Sequence, residues 1–110
     1  MNIKEKLLAL DALFDQETKW TKEHFALDRQ GGVVTSLDQN AVCWCITGGL
    51  QKVCSGDLPY EIIELLDNVL VKFGYLPSSH FAFISSWNDR EDTTFVDIKR
   101  VIREAIRLCE

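Results

Sequence analysis

The sequence predicts an α+β fold, mainly α: about four helices around one core, with a small β-hairpin or short sheet at one side. Three observations predict it. Four stretches repeat apolar residues at helical spacing. A Gly31-Gly32 pair separates two short runs suited to strands. The chain has 110 residues, 46% hydrophobic and 26% charged, which is enough for one core and too little for two. A single domain over residues 1–110 is therefore expected.

The first helix spans Ile3 to Phe14. Ile3, Leu7, Leu10 and Phe14 make its apolar stripe, with Leu8 beside it. Trp20 to Val34 reads as an irregular hairpin. Trp20, Thr21, Phe25 and Leu27 suit one strand, Asp28 to Gly32 the turn, and Val33-Val34-Thr35 the return. Ser36 or Asp38 is placed to cap a second helix running to Val53. On that helix Val42, Cys45, Ile46, Gly49, Leu50 and Val53 share a face, with Trp44 nearly opposite.

Pro59 opens a third helix that ends at Phe73, with Gly74 as its cap. Its broad apolar face predicts the most buried helix. Tyr75 to Trp87 fits two readings. Phe81, Phe83, Ser85 and Trp87 alternate as in a strand, but Ser78 or Ser79 could cap a short helix. The last helix spans Thr94 to Cys109. Thr94 and Asp97 form a capping-box pattern, and Phe95, Ile98, Val101, Ile102, Ala105 and Ile106 its stripe.

Charge and composition exclude several functions. A net charge of −5 disfavours general binding to a nucleic-acid backbone. Lys99, Arg100, Arg103 and Arg107 could form a basic edge on the last helix, diluted by Asp97 and Glu104. No stretch is apolar enough for a membrane span, and residues 1–6 lack an apolar signal region. A cytoplasmic location is expected, so Cys43, Cys45, Cys54 and Cys109 read as free thiols. Their spacing with His24 and His80 matches no zinc pattern, and neither metal nor cofactor is expected.

Two segments could carry chemistry. In Ala41 to Leu50, two glycines inside a helix each cost about 1 kcal/mol relative to alanine. Gly49 on the core stripe would let another backbone come close. Cys45 on that stripe suits a small buried hydrophobe, whereas Cys43, nearer the helix start, is the better nucleophile. In Ser85 to Arg90, Trp87 could stack a planar ligand while Asn88 and Asp89 bind its edge. Alternatively, Trp87 anchors the loop, and Asn88 and Asp89 satisfy turn and helix-start amides. Trp20-Thr21 is either an aromatic anchor or a third pocket wall.

Taken together, Trp20-Thr21, the Asp28–Val33 turn, Trp44-Cys45-x-x-Gly48-Gly49-Leu50, and Trp87-Asn88-Asp89 before a Thr-led helix resemble a family of small bacterial and phage domains of unknown function. Its members commonly carry alanine where this chain has Gly49, and His80 lies outside the pattern. The resemblance implies a bacterial or phage cytosolic setting. It also implies a shared structural or ligand site at Trp44, Cys45, Trp87, Asn88 and Asp89.

Three functions follow as expectations. The leading one is a non-enzymatic binding protein that engages a protein partner or itself, such as a phage or mobile-element accessory protein acting on a host protein. The second is a nucleotide-like ligand pocket lined by Trp20, Trp44, Trp87 and Asn88. The third is a cysteine hydrolase with Cys43 or Cys45 as nucleophile, His80 as base, and Asn88 or Asp89 orienting the imidazole.

Overall fold

In the computed structural model, which describes residues 2–76 and 83–109, α1 (Ile3–Leu13) is the helix its local signals predict. Asn2 Oδ1 accepts the Glu5 N–H at 2.8 Å, and Glu5 reaches back to the Asn2 N–H, forming a capping box. A 3-10 turn (Glu17–Lys19) then leads to Trp20.

β1 (Ala26–Leu27), β2 (Val33–Val34) and β3 (Cys43–Trp44) form an antiparallel sheet in the order β2-β1-β3. The predicted hairpin turn is present. Asp28 organises it, its Oδ1 accepting the N–H groups of Gln30 and Gly32 at 2.9 and 2.8 Å. Gly31 supplies the left-handed residue, with φ +82°. The first strand is shorter than the sequence reading: Thr21 to Phe25 is irregular, and Trp20 makes only an isolated parallel bridge to Trp44.

The second predicted helix needs correcting at its start. It is α2 (Ile46–Val53), and Cys43-Trp44 lies in β3. Asp38 does not cap a helix; its Oδ1 accepts the Asn40 N–H at 2.7 Å in a local turn. Pairing of Ala26 with Trp44 and Leu27 with Cys43 overrides the helical periodicity of residues 42–45. Trp44 is consequently buried against the core rather than opposite it, and its indole N–H donates to the Ser36 carbonyl at 3.0 Å.

α3 (Tyr60–Lys72) and α5 (Phe95–Leu108) match the predicted helices within a residue at each end. Thr94 and Asp97 form the capping box of α5. Between them, α4 (Phe83–Asn88) makes residues 83–87 of the ambiguous segment helical, while Tyr75 and Leu76 are in neither helix nor strand. Ser78, Ser79 and Phe81 lie outside the described residues. Asp67 of α3 caps α4 by accepting the Ile84 N–H at 2.8 Å.

The chain is thus mainly helical α+β, with five α-helices among the described residues and a three-stranded sheet. α1 packs on α2 and α5, α3 packs on α5, and α4 closes against α2 and α3. Leu7, Leu10, Phe14, Ile46, Leu66 and Ile102 are among the fully buried residues of the shared core. No helix among the described residues is long and apolar enough to cross a membrane.

Candidate functional site

Four of the six residues singled out above meet at one junction, where α4 ends against the start of α2. Asn88 is fully buried there. Its Oδ1 accepts the Trp20 indole N–H at 2.8 Å and the Ile46 backbone N–H at 3.0 Å. Its Nδ2 donates to the Thr21 carbonyl at 3.2 Å and to Asp89 Oδ1 at 2.9 Å. A neutral amide has two acceptor sites and two donor hydrogens. All four are used within the chain, and the Ile46 contact satisfies one of the free amides at the start of α2.

Asp89, exposed at the surface, extends the junction. Its Oδ1 also accepts the Glu23 N–H at 2.8 Å. Glu23 has φ +72°, a left-handed conformation costly for a residue with a side chain, and this contact helps hold it. The Lys22 ammonium donates to the Arg90 carbonyl. Residues 20–23 are therefore stitched to 88–90.

Cys45 is the N-cap of α2, and its sulfur accepts the Gly48 N–H at 3.2 Å. Burial pushes its thiol pKa up and the Asp89 charge adds to that rise, while the Gly48 and Thr47 amides pull against it. Cys43 lies in β3, away from the helix start that was to activate it. Its thiol is also pushed up by burial, partly offset by contacts to Leu27 and Thr21. All four cysteines are free thiols. His80 lies outside the described residues.

Trp44 and Trp87 adjoin this junction through their backbones, but their indoles lie in the core. Trp87 is 1% exposed, lies edge-on to Tyr75 at 5.7 Å, and its carbonyl accepts the Thr93 hydroxyl at 2.7 Å. The structure therefore brings together Trp20, Asn88 and Asp89, with Cys45 alongside, and places the other two tryptophans in the core.

The two glycines have different roles from the one expected. The close backbone approach occurs at Gly48: a Cβ there would lie 2.0 Å from the Phe25 carbonyl oxygen. At Gly49 a Cβ would meet side chains, Phe14 Cζ at 2.8 Å and Leu10 Cδ1 at 3.0 Å. Gly48 thus lets the segment before β1 lie on the start of α2.

That segment creates a feature the sequence did not signal. A cavity of about 150 Å³ is lined by Glu23, His24, Phe25, Cys45, Ser85 and Asp89. His24 reaches it because residues 23–25 fold over α2, which no local pattern encodes. Thr47 and Ser85 share a hydroxyl hydrogen bond of 2.7 Å nearby, joining α2 to α4. No group of three or more potential metal-binding side chains occurs among the described residues.

A match to the family of unknown function DUF6197 spans residues 2–108. The chain belongs to DUF6197. In this DUF6197 chain, the Trp-Thr, Trp-Cys-x-x-Gly and Trp-Asn-Asp motifs converge on the α2–α4 junction. Neither a curated protein nor a solved structure matches the chain.

Proposed function

We propose that this chain is a small non-enzymatic interaction module that engages a protein partner through the outer face of its sheet. One observation carries the reading. The sheet has two cross-strand rows. Val34, Ala26 and Trp44 form the inner row and pack into the core. Val33, Leu27 and Cys43 form the other, and it too lacks a charged residue. Val33 is 66% exposed, and Leu27 and Cys43 are partly exposed.

An antiparallel sheet with one solvated face ordinarily alternates apolar inside with polar outside. An apolar outer row gains free energy when another surface covers it. Phe25, half-exposed just before β1, and the unpaired outer edge of β2 add to the surface a partner could use. The raised thiols and the fully engaged Asn88 favour this reading over a thiol enzyme or a tryptophan-lined ligand pocket. The family resemblance supports a cytosolic bacterial or phage setting, with a host protein as one form of partner.

The test is native mass spectrometry of the tagged chain isolated from its own cells, beside Val33→Lys. The reading expects a stoichiometric protein partner, or a homodimer, that Val33→Lys loses while its melting temperature holds. A bare monomer from both, or a partner retained by the variant, contradicts it.

A further inference from the structure

The cavity of about 150 Å³ beside the α2–α4 junction lies at one end of the sheet's outer row. The register places it there. Leu27 pairs with Cys43, so the next outward positions, one residue beyond each strand, are Phe25 and Cys45. Both line the cavity. Phe25 is 51% exposed, while Cys45, 8% exposed, forms a buried wall. Glu23, His24, Ser85 and Asp89 complete the lining.

The two carboxylates of the cavity lack a compensating cation. Asp89 is held only by neutral donors, its Oδ1 accepting the Glu23 N–H at 2.8 Å and the Asn88 Nδ2–H at 2.9 Å. Among the described residues, no lysine or arginine forms an ion pair with Asp89 or Glu23. The neighbouring cations are committed elsewhere. Lys22 donates to the Arg90 carbonyl and lies over the Trp20 ring at 5.5 Å, and Arg90 pairs with Asp92 at 3.0 Å. The Asp89 charge reaches the buried wall, where it adds to the rise of the Cys45 thiol. Ser85 contributes a hydroxyl whose hydrogen bond with Thr47 leaves an oxygen lone pair over.

Size narrows the occupant. Pockets for whole small molecules run to about 300–1,000 Å³. A cavity of about 150 Å³ suits a single side-chain tip. We propose that it receives an arginine side chain of the protein partner whose apolar residues cover the Val33–Leu27–Cys43 row. The proposal rests on the sheet-face reading and adds the partner's chemistry to it. A guanidinium bonds carboxylates through a planar fork and stacks on aromatic faces, so Asp89, Glu23 and Phe25 together suit it better than a compact ammonium. Covering the site removes water from the pair, which strengthens the attraction.

The probe is N-methylguanidinium, titrated into the isotope-labelled chain and followed through its amide NMR shifts. Saturable shifts at Glu23, Gly48 and Ser85 are expected, with a Kd of about 10 mM or tighter. N-methylurea, the neutral isostere, should leave these amides in place. Asp89→Asn keeps an acceptor for the Glu23 N–H and removes the charge, so it should bind the probe about threefold or more weakly. Should that variant fail to fold, Glu23→Gln carries the same test. Val33→Lys should bind the probe as the parent does, which separates failure of the sheet reading from failure of this one. Shifts that stay linear and scatter over the acidic surface overturn the proposal, as do equal shifts from N-methylurea or equal affinity in the folded charge variant. A protein partner whose occupancy is unchanged by Asp89→Asn overturns the assignment to a partner's arginine.

Discussion

Trp20 and Asn88, 68 positions apart in sequence, share a 2.8 Å hydrogen bond from indole N–H to amide oxygen. The same oxygen holds the first amide of α2. One side chain on α4 thereby fixes both the chain leaving the 3-10 turn and the start of a glycine-rich helix. Two motifs that suggest a ligand site in the sequence are joined here by bonds within the fold.

The glycines give the first prediction. Gly48→Ala should destabilise the protein by about 3 kcal/mol or more, because the clashing atom is a backbone oxygen beside β1. Gly49→Ala meets the mobile ends of Phe14 and Leu10 and should cost about 1–3 kcal/mol. Urea denaturation of the two variants side by side checks the order. Equal losses would place the close approach at the wrong glycine.

Asp67 gives the second. Burial raises its pKa, while amides at the start of α4 pull it down. The native state therefore favours the protonated carboxyl more than the unfolded chain does. The charge consequently lowers stability as pH rises through and above the usual carboxylate range. Asp67→Asn keeps an acceptor for Ile84 and sheds the charge, so its stability at neutral pH should equal or exceed that of the parent. Asp67→Ala should lose about 1 kcal/mol with the cap. Thermal melts of the pair at neutral pH distinguish the two effects.

Glu104 gives a third, with the opposite sign. Arg107 and Lys72 hold its pKa down to about 2 from an ordinary 4.5. Its contribution is complete above 4.5 and is lost as pH falls towards 2. Glu104→Gln should therefore flatten the acid limb of the melting-temperature profile between those values. Because its partners Lys72 and Arg107 are exposed, the effect should shrink in high salt.

The thiols give a fourth. With Cys43 and Cys45 both pushed up by burial, iodoacetamide should label them more slowly at pH 7 than it labels free cysteine. Mass spectrometry of the labelled peptides reads each site. Faster labelling of either residue would revive the thiol-enzyme reading.

Helix starts were legible where a familiar signal stands beside them, as Pro59 does before α3. α1 and α5 carry theirs in their own first turns, as Asn2 with Glu5 and Thr94 with Asp97, and both were readable to within a residue. The start of α2 was not, because its local cap is a cysteine sulfur and Asn88 satisfies its first amide from 42 positions away. The same holds for α4, whose cap is Asp67 on α3. Cys43-Trp44 looked helical because its strand character comes from pairing with Ala26-Leu27. At the site, the motif residues could be named, and one of the two roles weighed for Asn88, satisfying helix-start amides, is the contact it makes. Its bond to Trp20 and the placing of His24 beside Cys45 required the folded chain.

The most direct test of this account is the unfolding free energy of Asn88→Ala. The substitution leaves the buried Ile46 amide and the Trp20 indole without their acceptor, and the Thr21 carbonyl without its donor. The account predicts a loss of about 2–4 kcal/mol, with Asn88→Asp also destabilised because it cannot donate to Thr21 and sets a second carboxylate against Asp89. An Asn88→Ala protein as stable as the parent would contradict it, and would return Asn88 to the role of a ligand-binding residue.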